Sequence, residues 1–241
     1  MVVLGLKVAF TSGSKGGTGK STLSSLCTLA LAGAGYSVLL VDCGSEGNST
    51  RMLLRNPRPP FLRDFLKGDL WALGEYTVKV GSFEVNFFMI PNIGPLDRLD
   101  RIRSMLNLKL SKARLEDYFQ LIVFDLPAYQ GSSYDAIIDA SDIVVLVAKP
   151  YRAAVAAVKT AYTGRAKKLV VLNEYHPSFI EYRVDMERYF NDSVLTLPYD
   201  PYVRLMGPDT LSLVLSRLGK EFQRSLLELC RSILMKGGIY G

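Results

Sequence analysis

Histidine is nearly absent: His176 is the only one in 241 residues, which argues against His-based catalytic triads and multi-histidine metal sites. Cysteine is scarce as well. Cys27, Cys43 and Cys230 are scattered and show no CxxC spacing, which argues against a disulfide framework and against a zinc or iron–sulfur site built within one chain. They read as small thiols in a reducing compartment. No apolar run approaches the ~20 residues that a bilayer-spanning helix needs. Internal repeats, low-complexity tracts and long Pro/Gly/Ser linkers are missing too. Residues 1–11 lack a basic segment followed by an apolar stretch and a cleavage site, and look like a first strand. A cytoplasmic protein is therefore expected.

What is present describes an ordinary globular chain, 49% hydrophobic and 22% charged, long enough to bury a sizeable core. Its formal charge of +6 favours polyanionic partners: nucleic acid, an acidic membrane face or nucleotides. Short β-rich apolar runs alternate with helical ones. Strands are expected at Leu6–Thr11, Ser37–Asp42, Leu121–Asp125, Ile143–Ala148, Leu169–Asn173 and Ser193–Leu197, with two alternating runs between Tyr76 and Ile90 around Gly81 and Ser82. Helices are expected at Lys20–Ala34, ended by Gly35, through Leu99, Ile102 and Leu106, from about Ala153, and over Lys220–Met235. This order predicts an α/β fold: a doubly wound, mostly parallel sheet with helices on both faces, in a single domain over residues 1–241. Ligands of such sheets sit beyond the C-terminal strand edges, where Asp42, Asp125 and a glycine-rich loop all fall.

That loop is Lys15-Gly16-Gly17-Thr18-Gly19-Lys20-Ser21-Thr22, set between a strand and a helix. Glycines let backbone N–H groups turn around phosphates, and the helix dipole adds a positive end. Lys20 would reach the β- and γ-phosphates of ATP, the Ser21 hydroxyl would ligate Mg²⁺, and Thr22 would donate to the α-phosphate. The first position of the usual G-x-x-x-x-G-K-[ST] pattern is Ser14 here, and the extra Lys15 is the informative difference.

KGGTGKST at Lys15–Thr22 resembles the ParA/MinD family of deviant Walker A ATPases, on the side of the ParA/Soj-like partition proteins without an N-terminal DNA-binding domain. The resemblance extends, less specifically, to VDCGSEGNST (Val41–Thr50), FDLPA (Phe124–Ala128), ASDIVVLVAKP (Ala140–Pro150), VVLN (Val170–Asn173) and LPYDPYV (Leu197–Val203). It implies a P-loop ATPase that dimerises around ATP, with Lys15 as the signature lysine reaching the partner subunit's nucleotide. A cation there would offset charge building on the transferred phosphoryl group.

Asp125 closes the apolar run Leu121–Asp125 as a Walker B aspartate does, and would hold a water on Mg²⁺. The resemblance gives Asp42 the same outer role; a turn or capping role is the alternative for both carboxylates. Family members usually carry a second aspartate two residues after the first, orienting the attacking water. Gly44 stands at that position, and glycine can neither accept a proton nor hold water through a side chain. Glu46 is the nearby substitute, with a solvated surface glutamate as the default. The expectation is intact ATP binding with slow turnover. Asn173 matches the family's adenine-reading asparagine, whose amide can donate and accept together; a plain loop asparagine is the alternative. Pro198 resembles the other base-side wall.

The partner surface is open to three readings. Partition would use non-specific DNA and a ParB-like stimulating protein, with nucleoid association. Basic residues at Arg98–Arg114 (Arg98, Arg101, Arg103, Lys109, Lys112, Arg114) and Arg152–Lys168 (Arg152, Lys159, Arg165, Lys167, Lys168) suit phosphate contacts, or simply form solvated faces. MinD-like membrane cycling would use the C-terminal stripe Phe222, Leu226, Leu227, Cys230, Ile233 and Leu234, which otherwise packs on the sheet. A weakly hydrolysing nucleotide-gated scaffold is the third. Iron–sulfur carrier relatives need cysteines at set positions that are not found, and a lone Tyr240 is poor support for tyrosine-kinase relatives.

Overall fold

A computed structural model describes residues 5–67, 73–80, 82–94, 114–129 and 134–239. Its centre is β1 (Leu6–Thr11), which pairs in parallel with β5 (Leu121–Asp125) on one side and β6 (Ile143–Ala148) on the other. Beyond β5 lie β2 (Val38–Asp42) and β4 (Phe83–Ile90), and beyond β6 lie β7 (Lys167–Tyr175) and β8 (Val194–Pro198). Among the described residues the one antiparallel pairing joins β3 (Gly74–Val80) to β4 at the sheet edge. The full order is β3-β4-β2-β5-β1-β6-β7-β8. This is the doubly wound, mostly parallel sheet that the alternating pattern predicts.

The inner strands β2, β5 and β6 are buried along their whole length, because helices cover both faces of the sheet; hence their unbroken apolar character. Side chains of successive residues point to opposite faces. Val8 and Phe10 join Val123 and Val145 in one core, under α1 (Lys20–Gly33) and α8 (Lys220–Gly237). Ala9, Ile122, Phe124 and Val144 join the other, with α3 (Leu62–Lys67), α4 (Asp135–Asp139) and α5 (Arg152–Lys159). α1 stops at Gly33, one residue short of expectation. Tyr36 N–H closes its end onto the Leu31 carbonyl, and Gly35 sits at φ 91°, the left-handed geometry that glycine adopts without strain.

The C-terminal stripe packs inward. Phe222, Leu226, Cys230, Ile233 and Leu234 are buried in the first core, leaving Leu227 exposed. Cys230 meets Cys27 of α1 there, and that contact together with burial holds the Cys27 thiol well above its ordinary pKa. Among the described residues no helix is long and apolar enough to cross a membrane.

Several helices carry no clear sequence signal. α2 (Asn48–Leu53), α3 and α4 are too short to show a period. α6 (Ile180–Phe190) buries only Met186, and α7 (Leu211–Arg217) buries Leu211 and Val214. The expected helix through Leu99, Ile102 and Leu106, and the basic residues Arg98, Arg101, Arg103, Lys109 and Lys112, lie outside the described residues, as does Gly81. Arg114 is described and pairs with Asp117 at 2.6 Å.

Candidate nucleotide-binding site

The chain leaves β1 at Thr11, whose hydroxyl accepts from Gly13 N–H at 3.1 Å, and enters α1 through Gly19. Gly19 is left-handed at φ 94°, and a Cβ there would collide with the Asn173 amide nitrogen, so only glycine satisfies both demands. No side chain caps α1 and its first turn holds no acid. Its leading N–H groups are therefore available to an anion. Lys20 and Ser21 begin the helix and are buried, as is Thr18, whose hydroxyl oxygen has no hydrogen-bond partner.

A cleft of about 420 Å³ opens over this turn. Gly17, Gly19, Lys20, Ser21, Thr22 and Asn173 line it, together with Glu46, Asn48, Lys149, Glu174, Val203 and Arg204. Lys15 does not line it. Its side chain is half-buried, with the ammonium 5.9 Å from the centroid of the Tyr151 ring. Gly16 is exposed. Pro198 is likewise off the cleft wall, paired with Tyr175 across β8 and β7. The Asn173 side chain is buried and donates to the Thr18 carbonyl at 2.9 Å, which binds the end of β7 to the loop.

Sheet register brings the two aspartates side by side, Asp42 opposite Asp125 at the ends of β2 and β5. Burial raises the carboxyl pKa of Asp125, against the opposing pull of Lys20, Ser49 and Ser21. Ser49 donates to its Oδ2, while Oδ1 is buried with no hydrogen-bond partner. Asp42 is pushed up to about 7, chiefly by burial and next by the Asp125 charge. Both its oxygens are engaged: Oδ1 accepts from Gly44 N–H at 3.0 Å, and Oδ2 from the Thr50 N–H and hydroxyl at 2.9 and 2.8 Å. Asn92 completes this latch. Its N–H donates to the Thr50 hydroxyl at 2.9 Å and its side-chain amide to the Gly44 carbonyl at 2.7 Å.

An orphaned carboxylate oxygen near a serine hydroxyl and a lysine fits a hard, oxygen-seeking cation that keeps most of its water. No group of three or more His, Cys, Asp or Glu side chains suited to a metal occurs among the described residues.

Residues 9–207, spanning the loop, both aspartates and the whole cleft lining, match the family described as the CobQ/CobB/MinD/ParA nucleotide binding domain. The chain belongs to that family. The ParA and MinD proteins of the family are P-loop ATPases, and this chain carries their nucleotide-binding domain. Over 147 residues, 55% of this chain, it is 28% identical to the cell division protein PomZ of Myxococcus xanthus, and it spans 43% of that relative's length. Two solved structures show the same fold. One is MinD of Pyrococcus horikoshii OT3 complexed with Mg-ADP, at 22% identity and a TM-score of 0.75, covering 98% of each chain. The other is pNOB8 ParA bound to nonspecific DNA, at 14% identity and a TM-score of 0.74, covering 99% of this chain and 100% of that one.

Several residues at this ParA/MinD-type site escaped sequence reading. Asn92 lies 48 residues from the carbonyl it holds, and nothing local marks it. Ser49 and Thr50 fall inside the stretch Val41–Thr50 that carries the resemblance, but carboxylate-holding hydroxyls have no spacing signature. Glu174 follows Asn173 directly and stands at φ 55°, where the β7–β8 register shifts. It pairs with Lys149 at 2.9 Å and Arg204 at 3.6 Å.

Proposed function

We propose that this protein is a Mg-ATP-dependent ATPase of the ParA partition type, whose ATP-bound homodimer holds DNA without sequence preference until a ParB-like partner stimulates hydrolysis. The observation that carries the reading is the uncapped start of α1, with Lys20 and Ser21 buried at the cleft floor. Lys20 would neutralise the β- and γ-phosphates, and the first-turn N–H groups would cradle them. Ser21 would ligate Mg²⁺ directly and Asp125 through water, with Asp42 further out; the ion would offset phosphate charge. Asn173, with Val203 and Arg204 rather than Pro198, would face the base. Lys15, lying off its own cleft, is the residue to reach a partner subunit's phosphates.

The DNA half of the proposal is supported by exposed cations. Lys159 pairs with Asp185 and Lys167 bonds the Lys236 carbonyl, while Arg152, Arg165, Lys168, Arg224 and Arg231 are exposed. Burial of most of the C-terminal stripe supports partition over a MinD-like membrane cycle.

Co-sedimentation with non-specific DNA and with anionic liposomes, in ATP and in ADP across a salt series, tests the reading. Binding to DNA only in ATP is expected, with affinity falling steeply with salt as phosphate contacts require. Lys20→Ala should abolish ATP binding. Lys15→Ala should keep it but lose the ATP-dependent dimer seen by size exclusion. Liposome binding without DNA binding would replace partition with the membrane reading.

A further inference from the structure

Two residues after Gly44, which leaves a chemical gap, the cleft is lined by the carboxylate of Glu46. Gly44 is buried, and both its backbone groups are taken by the latch. A Cβ there would meet the Asp42 Oδ1 at 3.3 Å, so a side chain at this position would crowd a buried carboxylate. The next turn is equally constrained. Gly47 is left-handed at φ 61°, its N–H bonds the Gly44 carbonyl at 3.1 Å, and a Cβ on it would collide with the Asn92 carbonyl. With its two ends held down, the turn lifts Ser45 and Glu46 outward.

Glu46 then lines the same cleft as Lys20, Ser21 and Thr22. Its position is set twice: the Arg51 side chain donates to its backbone carbonyl at 2.9 Å, and Asn48, also on the cleft wall, donates to its Oε2 at 3.3 Å. The other acid lining the cleft, Glu174, is held by the cations Lys149 and Arg204. Asp42 has both oxygens engaged and Asp125 is bonded to Ser49. Among the described residues the Glu46 carboxylate takes only the uncharged Asn48 amide, and the side chain is exposed.

We propose that Glu46 is the catalytic base of this ATPase, orienting and deprotonating the attacking water, with Asn48 as its positioning residue. The inference rests on the ATPase reading above. The water oxygen forms a bond to the γ-phosphorus while the bond from that phosphorus to the β-bridging oxygen breaks, its electron pair leaving on ADP. The water's proton passes to a Glu46 carboxylate oxygen and from there to solvent, giving ADP and inorganic phosphate.

The test measures ATP affinity and phosphate release separately on the purified full chain, with γ-labelled ATP, Mg²⁺ and saturating non-specific DNA. Glu46→Gln is expected to lower the turnover number about 100-fold, within the range general bases contribute, with the ATP dissociation constant changed less than about 2-fold and an ATP dimer that outlasts the wild-type one. Asn48→Ala should lower turnover less, again without weakening ATP binding. Equal turnover in wild type and Glu46→Gln overturns the inference, as does a wild type that binds Mg-ATP and releases no phosphate. A wild type that binds no ATP overturns the ATPase reading itself, and so separates the two failures.

Discussion

At the level of single residues, Asp42 ties protonation to folding. Burial and the Asp125 charge raise its carboxyl from 3.8 to about 7, so the folded chain binds a proton there that the unfolded chain has released between those values. Stability contributed in this way is fully present below about pH 4 and is lost as pH rises through 7. Without nucleotide, the urea midpoint of the wild type is expected to fall between pH 5 and 8, and Asp42→Asn should flatten that slope; a slope unchanged in the variant would place its origin elsewhere. The position of Asp42 was legible, since a carboxylate ending an apolar strand in an α/β chain falls at the ligand edge of the sheet. The groups that hold it were not, because the Thr50 N–H and hydroxyl meet Asp42 only through the fold of the turn, and Asn92, which secures Thr50 and Gly44, comes from a distant stretch of chain.

Among the elements, strands were the easiest to read. β5 and β6 fall on their expected boundaries because both faces are covered and every residue is apolar up to the terminal aspartate of β5. α6 shows the opposite limit: with Met186 its one buried residue, it has no apolar stripe to betray a period. The α8 stripe was visible, but its partner was not, since a buried face and a lipid-binding face have the same spacing. The structure decides for burial against α1 and the sheet. Ile233→Ala should therefore cost about 2–5 kcal/mol, as large-to-small changes in packed cores do, read as a lowered urea midpoint with unchanged liposome binding. Exposed Leu227 is the internal control; Leu227→Ala should stay within about 0.5 kcal/mol of wild type.

For the whole molecule, the cleft couples ligand to fold, since Asn173 of β7, the loop after β1 and the turn after β2 meet around it. A ligand that binds only the folded chain stabilises it by about 2.7 kcal/mol at a hundredfold excess over its dissociation constant. Mg-ATP should accordingly raise the thermal midpoint of the wild type by several degrees and leave Lys20→Ala unmoved in a differential scanning experiment. The latch adds a constraint of another kind. Asp42, Gly44 and Thr50 of one turn and Asn92 from a distant stretch of chain share five hydrogen bonds, with Gly47 pressed beneath the Asn92 carbonyl. For an engineer they amount to one part. Placing an acid at position 44 means redesigning what holds Asp42, and any side chain at position 47 means moving the stretch after β4 that carries Asn92.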